Sequence, residues 1–292
     1  MKILVKADMK LGKFTIDMLD TGIFALDGGA MFGVIPTPLW SKAYNPGDEK
    51  NRIPLAARPM LIQWEDRKML IDTGNGDKLS EKLTKIYAVD KKKSAVSHYL
   101  GSIGIKPDEI TDVILTHLHF DHAGGATVVE NGKPVPAFPN AKYYIQKEHY
   151  QWAKNPSEKD RASFMPENYE PLVAEGMMEF IDGEGEIFSG ISVLPMYGHT
   201  KAMQTVKING GEQIFFYAAD LCPTSAHVPI PYVMGYDNFP LTSMAEKRKI
   251  FFEAYEEGWI VAYEHDAFKQ ATVIDANEKG FYAGQSVEIT DK

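Results

Sequence analysis

Three histidines and an aspartate crowd into the six positions His117-Leu118-His119-Phe120-Asp121-His122, straight after the apolar run Val113-Ile114-Leu115 and Thr116. Imidazole and carboxylate donors without a thiolate suit Zn²⁺, Mn²⁺ or Fe²⁺. His117 and His119, two apart on an extended segment, point to the same side and can share one ion. Asp121 and His122 follow where the chain turns and can aim at a second. Gly124 and Gly125 let the backbone bend sharply and pack close to the site. A solvated polar turn entering a helix is the alternative, and the clear apolar strand in front of the cluster argues against it.

The rest of the chain supplies strands that end in further polar residues. Phe14-Thr15-Ile16 reads as a strand, and Ala30 to Pro36, apolar but punctuated by Gly and Pro, reads as a loop with a greasy inner face. That loop is either packed on the core or a wall of a substrate pocket, with Met31 and Phe32 as its apolar groups. Met60–Trp64 and Lys68–Ile71 flank the turn Glu65-Asp66-Arg67 as a hairpin that ends in Asp72-Thr73-Gly74. A helical region is expected from about residue 79 to 103, with a solvated break or face at Asp90 to Lys93. His98 and His149 read as ordinary surface or packing histidines.

Residues 147 to 180 read as an insertion that covers a site or builds an oligomer contact, such as a homodimer's. Ile191–Met196 is an apolar strand that leads to Tyr197-Gly198-His199. Met203–Ile208 and Gln213–Ala218 form a hairpin across Asn209-Gly210-Gly211 and run into Asp220. Ser243-x-x-Glu246 has the form of a capping box, which predicts a helix from Met244 to about Glu257, closed by Gly258. Ile260–Tyr263 delivers Glu264-His265-Asp266, and a last hairpin pairs Thr272–Ile274 with Phe281–Ala283. Strands and helices interleave with no linker or repeat, so one α/β domain over residues 1–292 is expected.

Composition narrows the function. A net charge of −9 argues against nucleic acid as a partner, because phosphate binding needs a basic face. The single cysteine, Cys222, excludes an intrachain disulfide and a thiolate zinc finger. No stretch approaches the ~20 apolar residues of a membrane helix. Met1–Asp8 has too short an apolar run for an export signal. A cytoplasmic protein that does not engage a membrane is the expectation.

His199, Asp220 and His265, each at a strand end, supply what two metals still lack. His117, His119 and His199 make one site, open at a fourth position as catalytic zinc sites are. Asp121, His122 and His265 make the other, and Asp220 can bridge both. With Asp72-Thr73-Gly74, this ordered set resembles the metallo-β-lactamase superfamily. The resemblance implies a four-layered αβ/βα sandwich with two divalent ions at one edge, zinc first, although Mn, Fe or Co suit the same ligands. It also makes Asp72, and Asp266 beside His265, carboxylates that orient ligands from behind.

A narrower resemblance runs through Asp27–Val34, Pro38-Leu39-Trp40, the block 117–125, and Ala219-Asp220 with Pro223-Thr224 and Ala226-His227. It is to the N-acyl-homoserine lactonases and their methyl-parathion-type phosphotriesterase relatives. It implies attack of a metal-bridging hydroxide on a small-molecule lactone or ester, with Asp220 holding the bridge and Asp121 passing a proton to the leaving oxygen. Met31, Phe32 and Phe120 would suit an acyl chain. The lactonases carry a substrate-assisting tyrosine where this chain has Pro223, so Tyr197 or His227 becomes the candidate for that role. The rival is a phosphotriesterase or aryl-ester hydrolase. A glyoxalase II-type thioesterase and a flavodiiron-type oxidoreductase are disfavoured by the strand-like end of the chain, the absence of a flavin domain, and the histidine at 119.

Overall fold

The computed structural model describes residues 9–289. The segment Met1–Asp8, on which the export-signal reading falls, lies outside them. Two seven-stranded sheets dominate, and in each the strands stand in chain order from one edge to the other. The first holds Met9–Leu11, Phe14–Met18, Met60–Trp64, Arg67–Ile71, Asp112–Ile114, Lys142–Gln146 and Met178–Ile181. Its first four strands pair antiparallel, as two hairpins joined through residues 19–59, and its last four are parallel, with crossovers that contain helices. The second sheet runs from Gly185–Phe188 to Gly280–Val287 and is antiparallel except where Ile214–Tyr217 meets Ile260–Ala262.

Side-chain alternation explains the layering. Met60, Ile62, Met69 and Ile71 face the second sheet and join Val193, Val206, Phe215 and Val261 in one core. Leu61 and Leu70, one position over, face the opposite way. They pack with Val113, Tyr143 and Ile145 against the helices Val96–Ser102, Lys147–Lys154 and Glu170–Ala174. The helix Pro240–Glu257 covers the second sheet with Ile250, Phe251 and Ala254. This is the αβ/βα sandwich. Among the described residues no helix is long and apolar enough to cross a membrane.

Two local expectations are corrected, and the break expected at Asp90 to Lys93 is found. Ala30 to Pro36 is not a loop throughout. Asp27 caps a one-turn helix, Gly28–Phe32, by accepting the Ala30 N–H at 2.8 Å, and a second helix, Thr37–Ala43, starts right after Pro36 with Pro38 in its first turn. The region 79–103 is two helices, Glu81–Ile86 and Val96–Ser102, with a non-helical stretch through the lysines. Ser243 caps nothing. Pro240 starts that helix earlier, Ser243 is buried inside it, and Glu246 reaches out to the Tyr197 and Gly198 N–H groups at 2.6 and 3.1 Å. Gly258 does close the helix, in the left-handed conformation.

Candidate metal centre

Each polar residue of the site stands just beyond a strand end on one edge of the sandwich. After Asp112–Ile114 the chain bends at Thr116, runs on through His119 and then enters the single helical turn Phe120–Ala123 that carries Asp121 and His122. Gly124 and Gly125 fold this turn back onto residues 73–75, and a β-carbon at either would collide with a backbone carbonyl there. From the second sheet come His199, Asp220 and His265. Asp220 follows Ala219, whose φ of +46° is a rarely adopted conformation for a residue with a side chain.

The side chains converge closely. His119 Nδ1 lies 3.1 Å from His117 Nε2 and 3.2 Å from His199 Nε2, while His122 Nε2 and His265 Nε2 are 3.0 Å apart. Asp121 Oδ2 sits 3.7 Å from His265 Nε2. Asp220 divides its oxygens between the groups. Oδ2 is 3.2 Å from His199 Nε2, and Oδ1 is 3.3 Å from His265 Nε2 and 3.5 Å from His122 Nε2. Two sets, His117–His119–His199 and Asp121–His122–His265, thus each bring ligand atoms within 4.8 Å of one another.

The outer nitrogens decide what the inner ones can do. A neutral imidazole has one N–H and one lone pair. His122 Nδ1 donates to Asp72 Oδ2 at 3.0 Å, His199 Nδ1 to Asp237 Oδ1 at 3.0 Å, and His265 Nδ1 to the Ala56 carbonyl at 2.8 Å. The Thr116 hydroxyl gives its proton to Asp72 Oδ2 at 2.6 Å, so it accepts from His117 Nδ1 at 3.0 Å. With the protons held outside, four Nε2 lone pairs point inward at one another. Lone pairs at 3.0 Å repel unless a cation lies between them. Asp220 Oδ1 and His119 Nε2, both buried, have no hydrogen-bond partner. This donor set fits divalent metal ions.

The charges point the same way. Burial and the neighbouring imidazoles hold His117 and His119 well below the usual histidine range. At His122 burial is outweighed by Glu264, Asp220 and Asp121, which push it well up. At His265 Asp220 likewise overrides burial and raises the ring to about 9. Burial would raise Asp220, yet His122, His199 and His265 hold it well below the carboxylate range. The inner end of the site therefore demands positive charge, which metal ions supply in place of protons.

Above the ligands opens a cleft with about 600 Å³ of empty space. Met31 and Phe120 line it, joined by Leu26, Tyr87, Met234 and Tyr236. Phe32, Tyr197 and His227 do not. Phe32 is buried between Trp40 and His227, and the His227 ring nitrogens are taken by Thr224 Oγ1 and the Met31 carbonyl. Tyr197 stands outside the cleft and donates to Glu148. The stretch 147–180 covers the site: Lys159, Asp160 and Ser163 form the far wall, and Phe164 bridges to the His119 backbone. His149 is buried, accepts the Leu118 N–H at 2.9 Å and donates to the Lys201 carbonyl at 2.8 Å, which ties the histidine cluster to the His199 loop.

Asp266 does not orient a metal-facing ring. Its carboxylate accepts the N–H groups of Ser225, Phe268 and Lys269 and the Ser225 hydroxyl. The buried carboxylate behind the ligands is Glu264, 2.8 Å from His122 Nδ1 but without a hydrogen bond, since that N–H points to Asp72. Glu264 was in plain view two positions from Asp266. Asp237, Tyr87 and Tyr236 sit in loops and carried no pattern. Cys222 is a buried bystander, its thiol pushed by burial to about 12.

The chain is similar to known proteins in sequence and in fold. An N-acyl homoserine lactonase from Bacillus sp. is 26% identical over 224 residues, 70% of this chain and 79% of its own. A probable metal-dependent hydrolase from Staphylococcus aureus superposes with a TM-score of 0.84 at 29% identity, covering 96% of this chain and 100% of its own. The dizinc quorum-quenching lactonase AidC, bound to N-hexanoyl-L-homoserine, superposes at 0.81 with 20% identity, over 97% and 98% of the two chains, and so shares the fold. The metallo-beta-lactamase superfamily model matches residues 54–248. That span carries the histidine cluster, His199 and Asp220, and with it this chain belongs to the metallo-beta-lactamase superfamily and is a metal-dependent hydrolase.

Proposed function

We propose that this hydrolase opens lactones of the N-acyl-homoserine type at a binuclear centre, zinc being the first choice of metal. The observation that carries the reading is the Asp220 carboxylate, which spans two histidine groups on the floor of an apolar cleft. His117, His119 and His199 would hold one ion, Asp121, His122 and His265 the other, and Asp220 both. When bound, such ions acidify a water and polarise an ester carbonyl.

The chain's own groups do the rest. Asp72 and Asp237 hold His122 and His199 in the ligating tautomer. Burial raises the Asp121 carboxyl, and its place on the cleft wall suits it to carry a proton to the alkoxide released on ring opening. Pro223 offers no hydroxyl. Burial keeps the Tyr236 phenol protonated, and it lines the cleft as a donor for the substrate's polar head. Leu26, Met31 and Phe120 accept the acyl chain, and the covering stretch 159–164 limits bulk water.

The test is pH-stat turnover of a long-chain N-acyl-homoserine lactone by metal-loaded protein, with Asp220→Asn as the control. The wild type should release acid, and the variant at least about 100-fold more slowly. No release from protein that holds about two metals per chain would overturn the lactonase reading. The aryl-ester or phosphotriester reading, which Pro223 favours, would then be tested on those substrates.

A further inference from the structure

A second cavity adjoins the cleft. Leu26, Tyr87 and Tyr236 line both, and the other walls of the second, outward cavity include Lys50, Arg52 and Lys85. We propose that this outer cavity is a carboxylate-binding subsite, so that the preferred substrate is an ester or lactone whose chain ends in a carboxylate. The proposal rests on the ester-hydrolase reading for the reacting end and adds the chemistry of the far end.

Three cations on one short wall stand out in a chain of net charge −9. Their partners show which are free. Arg52 is committed: Nε and Nη2 bind Asp48 Oδ2 at 2.9 and 2.7 Å, and Nη1 binds the Lys85 and Ile86 carbonyls at 3.1 Å. It thereby pins the end of helix Glu81–Ile86 beside the strand Arg52–Ala56 and brings Lys85 toward Lys50. Neither lysine ammonium is in an ion pair among the described residues, and both are exposed. The one acid in the wall, Asp27, is occupied by the Ala30 N–H and the Asn51 amide.

Two mobile ammonium groups without a free guanidinium suit a single negative charge, and the nearby Asp27 disfavours a dianion such as phosphate. The geometry of the shared wall adds selectivity. A chain that leaves the metal centre on the side away from Lys159 and Asp160 passes Leu26 and the two tyrosine rings before Lys50 and Lys85, so the subsite rewards a long apolar spacer between ester and acid.

The experiment uses metal-loaded full-length protein and two lactones of equal chain length, one ending in a carboxylate and one in its methyl ester. Two exposed charge pairs should lower KM for the carboxylate about 5- to 10-fold, with kcat little changed, and added salt should narrow the gap. In Lys50→Ala/Lys85→Ala the ratio of the two KM values should fall to about one, and Lys50→Arg/Lys85→Arg should restore it. Equal KM values in wild type, or a preference that survives the alanine pair, would overturn the subsite. If neither lactone is turned over, the lactonase reading fails by itself, and calorimetric binding of the same two compounds decides the subsite. Tighter binding of the carboxylate by wild type than by the alanine pair supports it, and equal binding overturns it.

Discussion

Asp72 Oδ2 serves two of the proposed ligands at once. It accepts the His122 N–H directly and reaches His117 through the Thr116 hydroxyl, while Oδ1 takes the Thr116 N–H at 2.7 Å. Its φ of +58° is a conformation that aspartate tolerates better than most residues. Asp72→Asn should therefore weaken metal binding at both positions, by about 10- to 100-fold each, in a chelator competition that resolves two ions. Asp237→Asn touches only His199 and should weaken one position by a similar factor. A Asp72→Asn protein that loses a single ion would contradict the shared role. The ligand candidates themselves were legible because each follows an apolar run that ends abruptly. Glu264 against Asp266 was not, since two positions apart they would share a face on a continuing strand, and past Ala262 the chain is no longer strand. Asp237, 38 positions from its histidine, has no local signature at all.

Helix Pro240–Glu257 works on the site from behind. Glu246 holds the two amides that precede His199, and a β-carbon on Gly198 would run into Ser243. Glu246→Ala should cost about 1–2 kcal/mol in denaturant unfolding, through two lost charge-assisted hydrogen bonds. The adjacent Lys247 is buried and donates to the Pro229 and Tyr232 carbonyls at 3.0 and 2.9 Å, which steadies the loop that leads to Met234 and Tyr236. Burial lowers its ammonium from 10.5 to about 8. Between those values the unfolded chain binds more protons, so wild-type stability should rise from about pH 8 to 10 relative to Lys247→Met. A pH-independent difference between the two proteins would refute this. Gly125→Ala should lower stability by about 1–3 kcal/mol, read as a drop in Tm, because the new methyl meets the Thr73 carbonyl. The hairpins were legible from alternation and turn residues. The capping box was not what it resembled, because Pro240 three positions earlier is an equally good start and Glu246 had a better use in three dimensions.

Across the sandwich, four of the seven proposed ligands hang from the first sheet and three from the second. Ions held there would bind the folded chain and not the unfolded one. Loading at 100 times the dissociation constant should thus raise stability by about 3 kcal/mol for each ion bound, and chelation should reverse it. Equal melting of loaded and chelated protein would exclude a shared centre. The layered α/β class could be read from the order of strands and helices. How the covering stretch 147–180 lies over the site could not, because the Phe164–His119 bridge joins segments with no shared pattern. The division of ligands also sets a timetable for synthesis. A growing chain that has emerged only as far as residue 198 owns the histidine cluster but neither His199, Asp220 nor His265. Until His265 leaves the ribosome the second proposed group lacks a ligand, so capture of a full pair of ions would follow synthesis of both sheets, and exposed histidines would have to wait for it.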